Sequence, residues 1–179
     1  MAIKGRKFER ILQNKILRPI RLNAITKIIS NLPSGKILDI GCMDEFLLNR
    51  IPKRFDYQGV DDEPLCKNAK IQRKKIEQLE KNKKYDIVIA TEVLEHLDDP
   101  VAGIKILKTL SKRYVLISVP NEPFFSLFRF FIPAREHLWT IFPEALKRQL
   151  GKPILEKRVC FRRTYIGLWD ITKVNKHNL

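Results

Sequence analysis

Residues 36–42 read KILDIGC, and the architecture of the chain follows from that run. Ile37, Leu38 and Ile40 crowd together without helical spacing, as in a short strand buried on both faces. Gly41 closes the strand with a turn, where a missing side chain lets the backbone bend tightly and approach a ligand. The pattern recurs toward the C-terminus. Residues 57–61 (YQGVD) read as a second strand, 71–76 as a weak edge strand, 85–90 (YDIVIA) as a buried strand and 114–119 (YVLISV) as a fifth.

Helical signals separate these strands. Phe8, Ile11, Leu12, Ile16, Leu22, Ile25, Ile28 and Ile29 recur at helical spacing across residues 6–31. Pro19 is expected to break or kink that helix, and Leu32-Pro33-Ser34-Gly35 to stop it. Further helices are expected over residues 45–51, near 64–70, and over 92–97, 101–110 and 143–150. Residues 154–161 and 164–174 read as two β segments joined by a tight Arg162-Arg163 turn. The whole predicts an α/β fold: a doubly wound sheet of five parallel strands, a C-terminal antiparallel hairpin and an N-terminal helical extension. Ligands of such sheets bind at the carboxyl ends of the strands, at the point where strand order reverses.

The charge map marks the same edge. The net charge is +15, yet residues 37–66 carry 3 basic against 7 acidic side chains, and residues 85–104 carry none against 5. Both acidic windows contain strand ends: Asp39 to Glu45, Asp61 to Glu63 and Glu92 to Asp99. A basic shell around acidic segments suggests an anionic partner outside and a cationic or hydroxyl-rich ligand inside, although a lysine-rich solvated surface would look the same.

At 179 residues the chain fits one domain, divided into N-terminal helices (1–34), a ligand-binding core (35–120), a lid or substrate segment (121–151) and the hairpin (152–179). With 7 Gly, 10 Pro and 31% charged residues it is neither collagen-like nor disordered. Cys42, Cys66 and Cys160 lie far apart without a CxxC pair, so a reducing cytosol is expected rather than a disulfide scaffold or structural zinc. Neither a secretory signal nor an apolar run of membrane-spanning length is found, which leaves a soluble protein or one resting on a membrane.

Asp61 ends the second strand twenty residues after Gly41, placed to accept hydrogen bonds from both hydroxyls of a ribose. With ILDIGC, GVDD, YDIVIATEVLEHLDDP and YVLISVPNEP all in view, the chain resembles the class I S-adenosylmethionine-dependent methyltransferases. It is most similar to the small single-domain group of the ubiquinone and menaquinone biosynthesis enzymes, over roughly residues 35–150. The resemblance implies S-adenosylmethionine as cofactor. It implies Asp39, Gly41, Cys42 and Asp44 at the methionine end, Asp61 at the ribose, Asp62, Ile76 and Glu77 near the adenine, and Thr91 and Glu92 beneath the sulfonium.

Met43 and Glu45 stand where the family has its second and third loop glycines. Activity would require both to take ordinary backbone angles, with Glu45 opening a helix. A nicotinamide dinucleotide fits poorly, because the acids Asp44 and Glu45 would repel its pyrophosphate.

On a helix starting near Glu92, Glu92, Glu95 and His96 would share one face. They could supply a general base, with Glu92 and His96 the catalytic candidates; they could hold a divalent ion, as the resemblance allows; or they could merely solubilise the helix. His137 is a second base candidate. The box of enzymes that methylate the amino groups of adenine or cytosine bases is replaced after the fourth strand by Ala90-Thr91-Glu92-Val93, and no cysteine stands where nucleobase carbon methylation needs one, which argues against nucleobase chemistry. The Phe-rich stretch 124–132 would suit a greasy lid or an amphipathic anchor. The expected acceptor is small or lipid-like, with an anionic membrane as a possible surface. RNA is the second partner, and a silent binding module the third reading.

Overall fold

The computed structural model describes residues 13–121 and 138–174. A π-helical turn, Gln13–Leu17, leads into helix α1, Arg18–Ser30. Pro19 sits in the first turn of α1, where its missing N–H leaves no bond unmade, so it marks the change of winding rather than a break. Strands β1 (Lys36–Ile40), β2 (Asp56–Asp61), β3 (Ile71–Arg73) and β4 (Tyr85–Thr91) follow. Helix α2 (Pro100–Leu110) returns the chain to β5 (Ser111–Pro120). Helix α3 (Pro143–Leu150), β6 (Leu155–Val159), β7 (Thr164–Asp170) and the short α4 (Ile171–Val174) complete the described chain.

The sheet order is β3-β2-β1-β4-β5-β7-β6. Strands β1 to β5 pair in parallel, and β7 runs antiparallel to both β5 and β6. The expected topology is therefore observed. The chain winds outward from β1 to β3 and restarts at β4 beside β1, so strand order reverses between β1 and β4.

Alternation along the strands divides the core between two faces. Leu38, Ile40, Val88, Ala90, Val115 and Ile117 pack with Ile104 and Leu107 of α2 and Leu146 and Leu150 of α3. Ile37, Ile87, Ile89 and Leu116 pack with Leu22, Ile25, Ile28 and Ile29 of α1. Trp169, fully buried on β7, donates its Nε1–H to the Gly151 carbonyl at 2.9 Å and ties the antiparallel strand to the end of α3.

Several local expectations fail for local reasons. Residues 45–51 form turns and no regular helix; the Phe46 N–H donates to Asp44 Oδ1 at 2.8 Å, the oxygen that also accepts from Arg18, so the segment's entry is set by a contact with α1. Residues 64–70 are irregular because Leu65 donates its N–H to the Met43 carbonyl at 2.8 Å and Lys70 donates to the Asn68 Oδ1 at 2.9 Å, which takes donors from a helix. Residues 92–97 contain only a 3-10 turn, Leu94–His96, since Glu92 has φ 55°, which no α-helix accepts. The edge strand stops at Arg73, and Ile76–Gln78 is a 3-10 turn. The last strand ends at Asp170, whose carboxylate accepts the N–H and hydroxyl of Thr172 and opens α4. The hairpin turn takes four residues, 160–163, rather than two. Residues 6–12 of the first helix, the stretch 124–132 and His137 lie outside the described residues.

Candidate functional site

The carboxyl edge around β1, β2 and β4 gathers the acids of both windows. Gly41 has φ 71°, and a Cβ there would lie 2.3 Å from Val93 Cγ2, so glycine is required twice over. The N–H groups of Gly41 and Cys42 donate to the Val60 carbonyl at 2.8 and 3.3 Å, fastening the loop to β2. Met43 also takes the left-handed region, φ 60°, so the expected requirement for ordinary angles in an active loop is overturned: the loop keeps the backbone a glycine would take there, with a side chain on it. Two bonds hold it there: its N–H donates to Asp61 Oδ2 at 2.8 Å, and its carbonyl accepts from Leu65. Asp61 Oδ1 accepts the Glu63 N–H at 2.9 Å. A half-buried Asp61 thus supports the loop while standing at the end of β2. Glu45 opens no helix; its Oε1 accepts from the Asn68 carboxamide at 3.1 Å.

Beneath the loop, Asp39 is 2% exposed and accepts the Tyr57 hydroxyl at 2.7 Å through Oδ2. Burial raises its pKa from 3.8 to about 7, against the pull of the Tyr57 hydrogen bond and the Arg18 charge, while Asp61 and Asp44 push the same way as burial. Burial likewise pushes the Cys42 thiol well above its usual range, which removes it as a nucleophile.

Two arginines of α1 reach into this acidic edge. Arg18 holds Asp44 through both guanidinium nitrogens at 3.1 and 2.8 Å. Arg21, 7% exposed, lies 3.5 Å from the Glu92 carboxylate. Glu92, at the end of β4, is anchored by its own N–H to the Ser118 carbonyl at 2.9 Å. Among the described residues, Arg21 Nε, Asp39 Oδ1 and Ser118 Oγ are buried without a hydrogen-bond partner. Charge and orphaned polar atoms of both signs therefore meet at one edge.

The other site candidates distribute as follows. Cys42, Thr91 and Ile76 are buried, whereas Asp62, Glu77 and His96 are exposed. The shared face expected of Glu92, Glu95 and His96 does not form: Glu95 is 1% exposed, His96 faces solvent and Glu92 turns to Arg21. Among the described residues no group of three His, Cys, Asp or Glu could hold a metal ion. Sequence reasoning missed Arg18 and Arg21. Their signal was present: two basic residues three apart at the start of a helix that carries no acid, in a chain whose predicted strand ends are rich in acid.

The seven-stranded order β3-β2-β1-β4-β5-β7-β6 with β7 antiparallel is that of the Rossmann-like class I S-adenosylmethionine-dependent methyltransferase fold. The methyltransferase domain family model matches residues 8–153, and the chain belongs to that family. A ubiquinone biosynthesis O-methyltransferase of Acinetobacter baumannii is 30% identical over 112 residues, covering 54% of this chain and 47% of that one. The chain spans about half the length of the curated relatives it matches. Magnesium protoporphyrin IX methyltransferase of Synechocystis, crystallised with S-adenosylhomocysteine, aligns with a TM-score of 0.68 at 18% identity, over 93% of this chain and 94% of that one. The methyltransferase domain of the bacterial CtHen1-CN aligns with a TM-score of 0.62 at 18% identity, over 86% of this chain and 99% of that one. Both structural likenesses are of fold.

Proposed function

We propose that the chain transfers a methyl group from S-adenosylmethionine to an oxygen of a small or lipid-like acceptor. One observation carries this reading: a buried guanidinium, Arg21, and a buried carboxyl group, Asp39, each keep an atom without a partner at the carboxyl edge where strand order reverses. The methionine end of the cofactor is a zwitterion and supplies both partners. Arg21 Nε suits its carboxylate, and the acids Asp39 and Asp44 suit its ammonium. Asp61 takes the ribose hydroxyls, with Gly41 and Cys42 in the loop beside it. Asp62, Ile76 and Glu77 border the adenine, and Thr91 and Glu92 lie under the sulfonium.

When bound, S-adenosylmethionine would supply the methyl group to the acceptor oxygen, and the proton that the acceptor gives up would pass to a base of this chain. His96 takes that role, because it is exposed to an incoming acceptor while Glu92 is engaged with Arg21. A reducing compartment suits the three cysteines, all free thiols. The O-methyltransferase relatives support oxygen as the acceptor atom. Calorimetric titration with S-adenosylmethionine should give micromolar affinity, and His96→Ala should keep that affinity while losing turnover on hydroxylated aromatic acceptors. A folded wild type that binds no cofactor would overturn the enzyme reading and leave a silent descendant of the fold.

A second reading, an RNA acceptor, is favoured by the 8 basic residues among positions 67–84, which surround the edge strand β3. Its test is RNA retention that weakens steeply with salt. A flat salt dependence dismisses it.

A further inference from the structure

The turn between β6 and β7 presents a phenylalanine in an unfavourable way. Cys160, Phe161 and Arg162 all have positive φ, at 54°, 55° and 66°, a region that bulky side chains avoid. Phe161 is 91% exposed there. The fold enforces this conformation from several sides. Arg163 donates its N–H to the Cys160 carbonyl at 3.1 Å, and Asn121, just after β5, donates its N–H to the Arg163 carbonyl and its side chain to the Arg162 carbonyl, both at 2.7 Å. The Cys160 thiol donates to the Leu17 carbonyl at 3.2 Å, joining the turn to the start of α1.

That last bond brings Phe161 to the part of the chain carrying Ile16 and Ile20, which lie four residues apart on one helical face and are 48% and 42% exposed. Lys15 and Arg162, both exposed, are sequence neighbours of Ile16 and Phe161 at this corner. Because Thr164 pairs with Pro120, the turn stands at the carboxyl edge of the sheet, the edge that holds the proposed site.

We infer that this corner, Phe161 with Ile16 and Ile20 beside the cations Lys15 and Arg162, docks the protein on an anionic lipid bilayer. An exposed turn bearing one aromatic ring, next to two exposed aliphatic side chains and two cations, can seat its apolar groups below lipid headgroups while the cations pair with them. RNA could use the cations and stack on the ring, but it would gain nothing from exposed isoleucines. A second copy would bring like charge against like on a chain of net charge +15, over far less apolar surface than a stable dimer interface contains. Docking here would turn the carboxyl edge toward the membrane, where an apolar acceptor is met. In that respect alone the inference rests on the proposed function.

The test is co-sedimentation with phosphatidylcholine–phosphatidylglycerol vesicles, with a thermal melt of every variant to confirm folding. Phe161→Asn removes the ring at a position where asparagine tolerates positive φ, so folding should be kept. It should weaken vesicle binding about tenfold, and Arg162→Asn about fivefold. Ile154→Gln, which removes a 49% exposed residue at the opposite edge, should change nothing. The inference is overturned if the wild type stays in the supernatant, if Ile154→Gln loses as much as Phe161→Asn, or if pure phosphatidylcholine vesicles bind equally well. It is overturned also if Phe161→Asn abolishes a dimer without changing vesicle binding. Calorimetry reads cofactor binding and sedimentation reads docking, so either result can fail without the other.

Discussion

Replacing Asp39 by asparagine removes a charge while keeping an acceptor for the Tyr57 hydroxyl, which isolates the cost of burying the carboxylate. Asp39 is 2% exposed, and burial outweighs both the Tyr57 hydrogen bond and the Arg18 charge, so its pKa stands at about 7 in the folded protein against 3.8 for the free group. Between those values the unfolded chain has lost the proton and the folded chain keeps it. Unfolding then releases a proton, and stability falls as pH rises from about 4 to about 7, levelling off above. At 1.36 kcal/mol per pKa unit, the displacement corresponds to about 4 kcal/mol across that window. Asp39→Asn should lack this fall, although its new N–H donors, if left without an acceptor, cost about 1–3 kcal/mol at every pH. The pH slope, rather than stability at any one pH, is therefore the diagnostic. Urea unfolding of both proteins from pH 4 to 8.5 should show the wild type losing stability up to about pH 7 relative to Asp39→Asn, whatever constant offset separates the two curves. Parallel curves would refute the claim that the folded carboxylate is held protonated by burial.

Three further outcomes follow from the loop and its arginines. Met43→Gly relieves a left-handed conformation that costs an ordinary residue about 1–2 kcal/mol, less the entropy glycine adds to the unfolded chain, and should raise the melting temperature by a few degrees; a lower melting temperature would show that the Met43 side chain contributes more than the strain. Asp61→Ala should weaken S-adenosylmethionine binding by about 1.5–3 kcal/mol and also lower stability, because the Met43 and Glu63 N–H groups lose their acceptor; unchanged calorimetric affinity in a folded variant would remove the ribose assignment. Arg21→Met should destabilise by about 1–3 kcal/mol, since it leaves the Glu92 carboxylate in a largely buried position without its cation; a melting curve that overlays the wild type would contradict the pairing.

The sheet was legible in the sequence because its determinants are local. Ile37, Leu38, Val88 and Ile89 announce buried strands, Gly41 announces a turn, and alternation with helices leaves parallel topology as the economical arrangement. The short connections were not legible. Residues 45–51, 64–70 and 92–97 have adequate helical composition, but their conformations are fixed by bonds to partners distant in sequence: Arg18 to Asp44, Leu65 to Met43 and Glu92 to Ser118. For the same reason composition placed the acids at the right edge yet left them unpaired. Which of them would meet a guanidinium depends on how α1 lies across β1 and β4, and no spacing rule within the acidic windows contains that information.

The arginines also settle a question of charge that the acidic windows raise. Asp39, Asp44, Asp61 and Glu92 together would make the edge strongly repulsive to itself, and Arg18 and Arg21 balance only two of the four. Burial holds a proton on Asp39 up to about pH 7, and the charges of Asp61 and Asp44 add to it. S-adenosylmethionine brings one net positive charge, from its sulfonium, so its arrival can replace that proton. Affinity should then rise with pH until Asp39 ionises freely. S-adenosylhomocysteine has lost the sulfonium charge and should follow pH less steeply. Comparing the two ligands by calorimetry at pH 6 and 8 separates this electrostatic matching from mere shape. If the product gained affinity with pH as fast as the cofactor, the protonation of Asp39 would be responding to the zwitterionic methionine end alone, and the sulfonium would have to lie beyond the reach of its charge.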